Sequence, residues 1–162
     1  MTEKTRAVLH SSQKDDWGTP QWLFQVLHVQ YRFTLDLCAS AENALLPRFC
    51  TQVQSARVCN GGTLQPLDWT QERFFANPPY GRQWPKILAS IPQGAQGVFL
   101  LPSRTGSRWF HKMINDASWL VFFKGRLKFR GAITSAPFDS VLFGYSVPRP
   151  KGVEGKFIDL LH

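Results

Sequence analysis

Asn77-Pro78-Pro79-Tyr80 is the group of residues best placed to do chemistry. An exocyclic amine such as that of adenine is a poor nucleophile, because its lone pair is delocalised into the ring. The Asn77 side-chain oxygen can accept one hydrogen bond from such an NH2 group, and the Pro78 carbonyl a second. Two acceptors off the ring plane draw the nitrogen towards tetrahedral geometry and free the lone pair. Pro78 and Pro79 fix the backbone, so the acceptors stand ready before the base arrives. Tyr80 offers a face on which an extruded base can stack, worth roughly 1–3 kcal/mol.

Such a loop needs a rigid support. Phe74-Phe75-Ala76 reads as a buried strand that the prolines terminate. Loops at the carboxyl ends of strands are where open α/β sheets bind ligands. Upstream, Thr19 and Pro20 look like a helix N-cap followed by proline at the first helical position, with Trp22, Leu23, Val26 and Leu27 on one face. Phe33 to Ser40 reads as a first strand ending in Asp36 and a small-residue turn, with a helix starting near Ser40. Glu42-Asn43-Ala44 opens a short helix that ends near Pro47. The stretch to Leu67 has to supply two short strands, and Asn60-Gly61-Gly62 is a turn.

Downstream, the pattern predicts a helix from Trp84 to Ile91, a strand from Gly97 to Leu101 and a polar loop from Pro102 to Gly106 on the same sheet edge as Asn77. A helix from Ser107 to Asn115 and strands at Trp119–Phe123, Ser140–Tyr145 and Phe157–Leu161 follow. Between Lys124 and Arg130 basic and apolar residues alternate, as on an edge strand or hairpin that tracks a phosphate backbone. Strand-helix alternation from Phe33 to Phe123 implies an α/β fold with a mostly parallel sheet and helices on both faces.

The totals agree with a polyanionic partner: 19 basic against 11 acidic side chains give a formal net charge of +8. The 162 residues suit one domain, 15–162, behind a loose N-terminus, 1–14. No apolar run is long enough to span a membrane. Cys38, Cys50 and Cys59 lack metal-ligand spacing and are odd in number, which points to a reducing cytoplasm with neither disulfides nor a metal. A monomer is expected.

Taken in order, the blocks Trp17-Gly18-Thr19-Pro20, Leu35 to Ser40, Asn77 to Arg82, Leu101 to Thr105 with Arg108 to His111, Gly125 to Phe129 and Ala136 to Ser140 resemble the small phage and prophage DNA N6-adenine methyltransferases. The likeness runs from about Asp15 to Tyr145. It implies a Rossmann-like class I sheet, S-adenosylmethionine as methyl donor and double-stranded DNA as acceptor, with direct in-line transfer to a flipped-out adenine. It places the catalytic loop at Asn77, Pro78, Pro79 and Tyr80. Cofactor contacts fall at Trp17, Thr19, Pro20, Asp36, Cys38, Ala39 and Asp68, the last reading the cofactor's adenine beside Trp69. DNA contacts are expected from Arg82, Arg104, Arg108, Lys124, Arg126, Lys128 and Arg130. No separate target-recognition domain fits in the chain, so a short recognition site is expected. Transfer to cytosine N4 or RNA, and a catalytically degenerate DNA-binding relative, remain compatible with the same residues.

Overall fold

The computed structural model describes residues 17–51, 57–80, 84–151 and 157–159. The expected loose N-terminus, 1–14, and Arg82 lie outside them. The elements run α1 (Gln21–Tyr31), β1 (Leu35–Leu37), β2 (Arg48–Cys50), β3 (Arg57–Asn60), β4 (Thr63–Pro66), β5 (Arg73–Ala76), α2 (Trp84–Ala89), β6 (Gln96–Pro102), α3 (Arg108–Asp116), β7 (Trp119–Phe123), β8 (Ser140–Tyr145) and β9 (Phe157–Asp159).

The described strands form one nine-stranded sheet in the order β4-β3-β2-β1-β5-β6-β8-β7-β9. The expectation of a mostly parallel sheet is corrected. Three pairings are parallel, β1 with β2, β1 with β5 and β5 with β6. The other five are antiparallel. The reason is local. Gly61 and Gly62 both take positive φ, 57° and 85°, which is the two-residue turn that closes a tight hairpin between β3 and β4. At the other side, β8 inserts antiparallel between β6 and β7.

The central strands are buried on both faces, and their side chains alternate between two cores. Phe74, Phe99, Leu101, Val141 and Phe143 share one core with Ile87 and Leu88 of α2 and Phe110 and Met113 of α3. Phe75, Val98, Leu100 and Leu142 share the other with Leu23, Phe24, Leu27 and Tyr31 of α1. α1 is thus rotated from the face its apolar pattern suggests. Trp22 and Val26 are partly out, at 40% and 39% exposure, while Phe24 and Tyr31 are in.

Two expected helix starts do not form. Thr19 does not cap α1, which begins after Pro20 without a side-chain cap. Nor does a helix form after Ser40. The Asn43 side-chain oxygen accepts from the Ser40 backbone N–H at 2.7 Å, and Ala44 N donates to Ser40 O at 2.9 Å, closing one turn that goes no further.

From Lys124 to Arg130 the chain bends at Lys124 and Gly125 and belongs to no strand; its one ladder contact is a bridge between Arg130 and Gly18. The alternation seen in the sequence is nevertheless present from 126 to 130. Leu127 and Phe129 are buried while Arg126, Lys128 and Arg130 are exposed. At the amino-terminal side of the sheet, buried Glu72 pairs with Arg48 and accepts from the Thr34 hydroxyl at 2.6 Å. That network ties β2 to the starts of β1 and β5, on the side away from Asn77.

Candidate active site

The strand order reverses at β1. The chain goes from β1 to β2 on one side and returns to β5 on the other. Because β1 and β5 are parallel, with Leu37 opposite Ala76, their carboxyl ends open at the same edge, and the loops diverge there to leave a crevice. Asp36, Cys38 and Ala39 from β1 and the following turn line this crevice with Asn77 from the end of β5. Trp17, Gly18 and Thr19 form a further wall. Five of the seven residues expected at the cofactor therefore meet Asn77 in one cleft. Its enclosed part is small, about 20 Å³, which admits one water or one ammonium group; anything larger lies across the mouth.

The remaining two stand apart. Pro20 is buried at the head of α1 and is not on the cleft wall. Asp68 is exposed, and its carboxylate accepts from the Thr70 backbone N–H at 3.0 Å and hydroxyl at 2.7 Å. Those bonds lower its pKa, the hydroxyl bond most, and they make Asp68 the organiser of a turn.

Asp36 is 5% exposed. Burial raises its carboxyl to about 6, opposed by the hydrogen bond from Leu45 N and by the positive charge of Arg130. The Leu45 N–H donates to Oδ2 at 2.7 Å. Cys38 takes φ 70°, a left-handed conformation more often given to glycine. Burial raises the Cys38 thiol strongly, with Cys50 and Asp36 adding to it, so the residue stays a thiol and is no nucleophile at neutral pH.

Asn77 is fixed on three sides. Its amide nitrogen donates to the Trp17 carbonyl and, at 3.0 Å, to the Thr19 hydroxyl. Its oxygen accepts from the Tyr80 hydroxyl at 2.6 Å. The Tyr80 ring meets Phe129 and Phe138 edge-on, with centroids 6.4 and 5.5 Å apart, and burial holds its hydroxyl protonated. The acceptor expected to meet a substrate amine is thus already bonded to the neighbouring tyrosine.

Three cleft residues escaped the sequence reading. Asn43 and Leu45 come from the turn after β1, where the useful groups are backbone. Arg130 was expected on DNA. Its backbone N donates to Gly18 O at 2.7 Å and its guanidinium to Asn43 O at 2.9 Å, which seats it on the cleft wall. The other basic residues are spread around the same edge. Arg104 and Arg108 are exposed in and after the loop that leaves β6, which is parallel to β5. Lys124 and Lys128 are exposed, and Arg126 lies 3.6 Å from Asp139. Among the described residues no three His, Cys, Asp or Glu side chains group as metal ligands, and no helix is long and apolar enough to cross a membrane.

A polar cleft thus lies at the switch point of the α/β sheet, and Asn77, the first residue of Asn-Pro-Pro-Tyr, lines it. The family model for DNA N-6-adenine-methyltransferase (Dam) matches residues 6–143. The chain belongs to this family. It is 29% identical over 124 residues to a DNA N-6-adenine-methyltransferase of Haemophilus phage HP1 (strain HP1c1), an alignment covering 73% of this chain and 67% of the relative. No solved structure matches the chain.

Proposed function

We propose that the chain carries out site-specific methylation of adenine N6 in DNA from S-adenosylmethionine, with the cleft between β1 and β5 holding the donor and Asn77 orienting the acceptor. The observation that carries this reading is the meeting of Asp36, Cys38, Ala39 and Asn77 at the strand-order switch. The sheet supports a class I, Rossmann-like assignment. Parallel β2, β1, β5 and β6 form its centre, and one strand is inserted antiparallel before β7.

The donor set suits a zwitterionic, cationic ligand. Asp36 offers a carboxylate to the ligand's ammonium group, and Arg130 a guanidinium to its carboxylate. Ala39 and Gly18 let backbone approach closely. S-adenosylmethionine supplies an electrophilic methyl on a sulfonium, which departs as a neutral thioether. The chain's own residues do the rest. Asn77 Oδ1 and the Pro78 carbonyl accept from the adenine amine and pyramidalise it. Tyr80 gives up its bond to Asn77 and stacks on the flipped base, which offsets part of the few kcal/mol that flipping costs. The surplus proton on N6 leaves to solvent, and no covalent enzyme intermediate forms. Arg104, Arg108, Lys124 and Lys128 bear on the phosphates.

Calorimetry with S-adenosylmethionine, paired with methylation assays and nucleoside digestion of the product, tests the assignment. Asp36→Ala should lose cofactor binding. Asn77→Ala should keep it and lose N6-methyladenine formation by about 100-fold or more. Comparable activity in Asn77→Ala would refute the catalytic role.

A further inference from the structure

We propose that Thr19 is a positioning residue for the transfer: together with the Trp17 carbonyl, its hydroxyl holds the Asn77 amide in the orientation that turns Oδ1 towards an incoming amine. The inference rests on the reading of Asn77 as the acceptor.

A primary amide has two donor protons on nitrogen and an acceptor on oxygen, and only the bonding around it says which end points where. Here both protons are committed, one to Trp17 O and one to Thr19 Oγ1. The Trp17 carbonyl can only accept. Turning the amide over would set oxygen against oxygen there, with no proton between them. The carbonyl thus dictates the sense of the amide, and the hydroxyl fixes its tilt by taking the second proton. Oδ1 is left facing the side where Tyr80 now bonds it at 2.6 Å. A substrate amine replaces that bond without Asn77 having to turn.

Thr19 is not spent on the helix that follows it. It is 4% exposed, and its hydroxyl does not cap α1, although the sequence suggests that it should. Removing the hydroxyl takes the protein partner from one part-buried amide proton and frees the amide to tilt. Misplaced reacting groups cost rate without a matching cost in binding.

The test compares Thr19→Val, which keeps the shape and deletes the hydroxyl, with Thr19→Ser, which keeps the hydroxyl. Valine should lower kcat roughly 10- to 100-fold, with the calorimetric Kd for S-adenosylmethionine and the KM for DNA within about threefold of wild type. Serine should restore kcat to within about threefold. NMR of the Asn77 side-chain amide, assigned by its loss in Asn77→Ala, gives a second readout. Both protons should be protected from solvent exchange in wild type and in Thr19→Ser. An unchanged kcat in Thr19→Val would overturn the inference. So would a cofactor Kd that weakens in step with kcat, because Thr19 would then be a cofactor ligand. If the valine variant does not fold, fast solvent exchange of either Asn77 amide proton in the wild-type protein overturns it equally. Full activity in Asn77→Ala would instead sink the acceptor reading itself, so the two failures are distinguishable.

Discussion

At the scale of single residues, Asp36 is the cleft carboxylate whose ionisation responds to folding. Burial raises the Asp36 carboxyl from 3.8 to about 6. The native protein therefore holds this proton more tightly than the unfolded chain does, and stability falls as pH rises through that window. A shift of this size corresponds to on the order of 3 kcal/mol. Asp36→Asn should accordingly melt higher than wild type at pH 8, and the two melting temperatures should converge below the unfolded pKa. Cofactor binding should show the opposite dependence, since an ammonium group needs the ionised carboxylate. Calorimetric affinity for S-adenosylmethionine should weaken as pH falls through about 6 in wild type, while Asp36→Asn should bind weakly and without that pH dependence. An affinity independent of pH in both proteins would remove Asp36 from the ammonium contact. Asp36 and Asn77 could be found from sequence because each sits beside its own signal, the small-residue turn or the proline pair. Arg130 and the Leu45 backbone could not, because they reach the same cleft from other parts of the chain and carry no local mark of it.

At the scale of elements, strands carrying an apolar run were legible, the short β1, β5 and β9 included, and β2, β3 and β4 were not. β7 and β8 fall where the sequence places them, at Trp119–Phe123 and Ser140–Tyr145. β2 has three residues and β3 and β4 four each, too few for a period to show, and the exposed β4 has no apolar face. Only the Asn60-Gly61-Gly62 turn betrayed the hairpin. The rotation of α1 has a different cause: Trp22 and Val26 are apolar, but the sheet offers its groove to Phe24 and Tyr31. Packing between strands also sets tolerances that composition hides. A Cβ on Gly144 would lie 2.0 to 2.5 Å from the Trp119 ring, which β7 places opposite it and which donates to the carbonyls of Val147 and Pro148. Gly144→Ala must therefore displace a buried indole. It should cost about 1–3 kcal/mol, read as a lower denaturant midpoint. An unchanged midpoint would mean that the Trp119 indole has room to move aside.

At the scale of the whole molecule, charge and cleft converge on one edge. The parallel run of β5 and β6 puts the Asn77 loop and the Arg104–Arg108 loop at the same side of the sheet. The segment carrying Lys124 and Lys128 ends at Arg130, on the cleft wall itself. A phosphate backbone lying along these residues would pass the mouth of the cleft. Such contacts place the protein on DNA and carry little sequence information, so they act as a sum. Lys124→Ala and Lys128→Ala should each weaken binding to cognate and unrelated duplexes alike. Each should also reduce the slope of log K against log salt by about 0.9. Arg126→Ala should reduce it less, because the nearby Asp139 carboxylate, 3.6 Å away, already offsets part of its charge. Fluorescence anisotropy over a salt series reads all three slopes. If the lysine variants keep the wild-type slope, the net charge of +8 acts from another face, and the DNA must approach the cleft without the 124–130 segment.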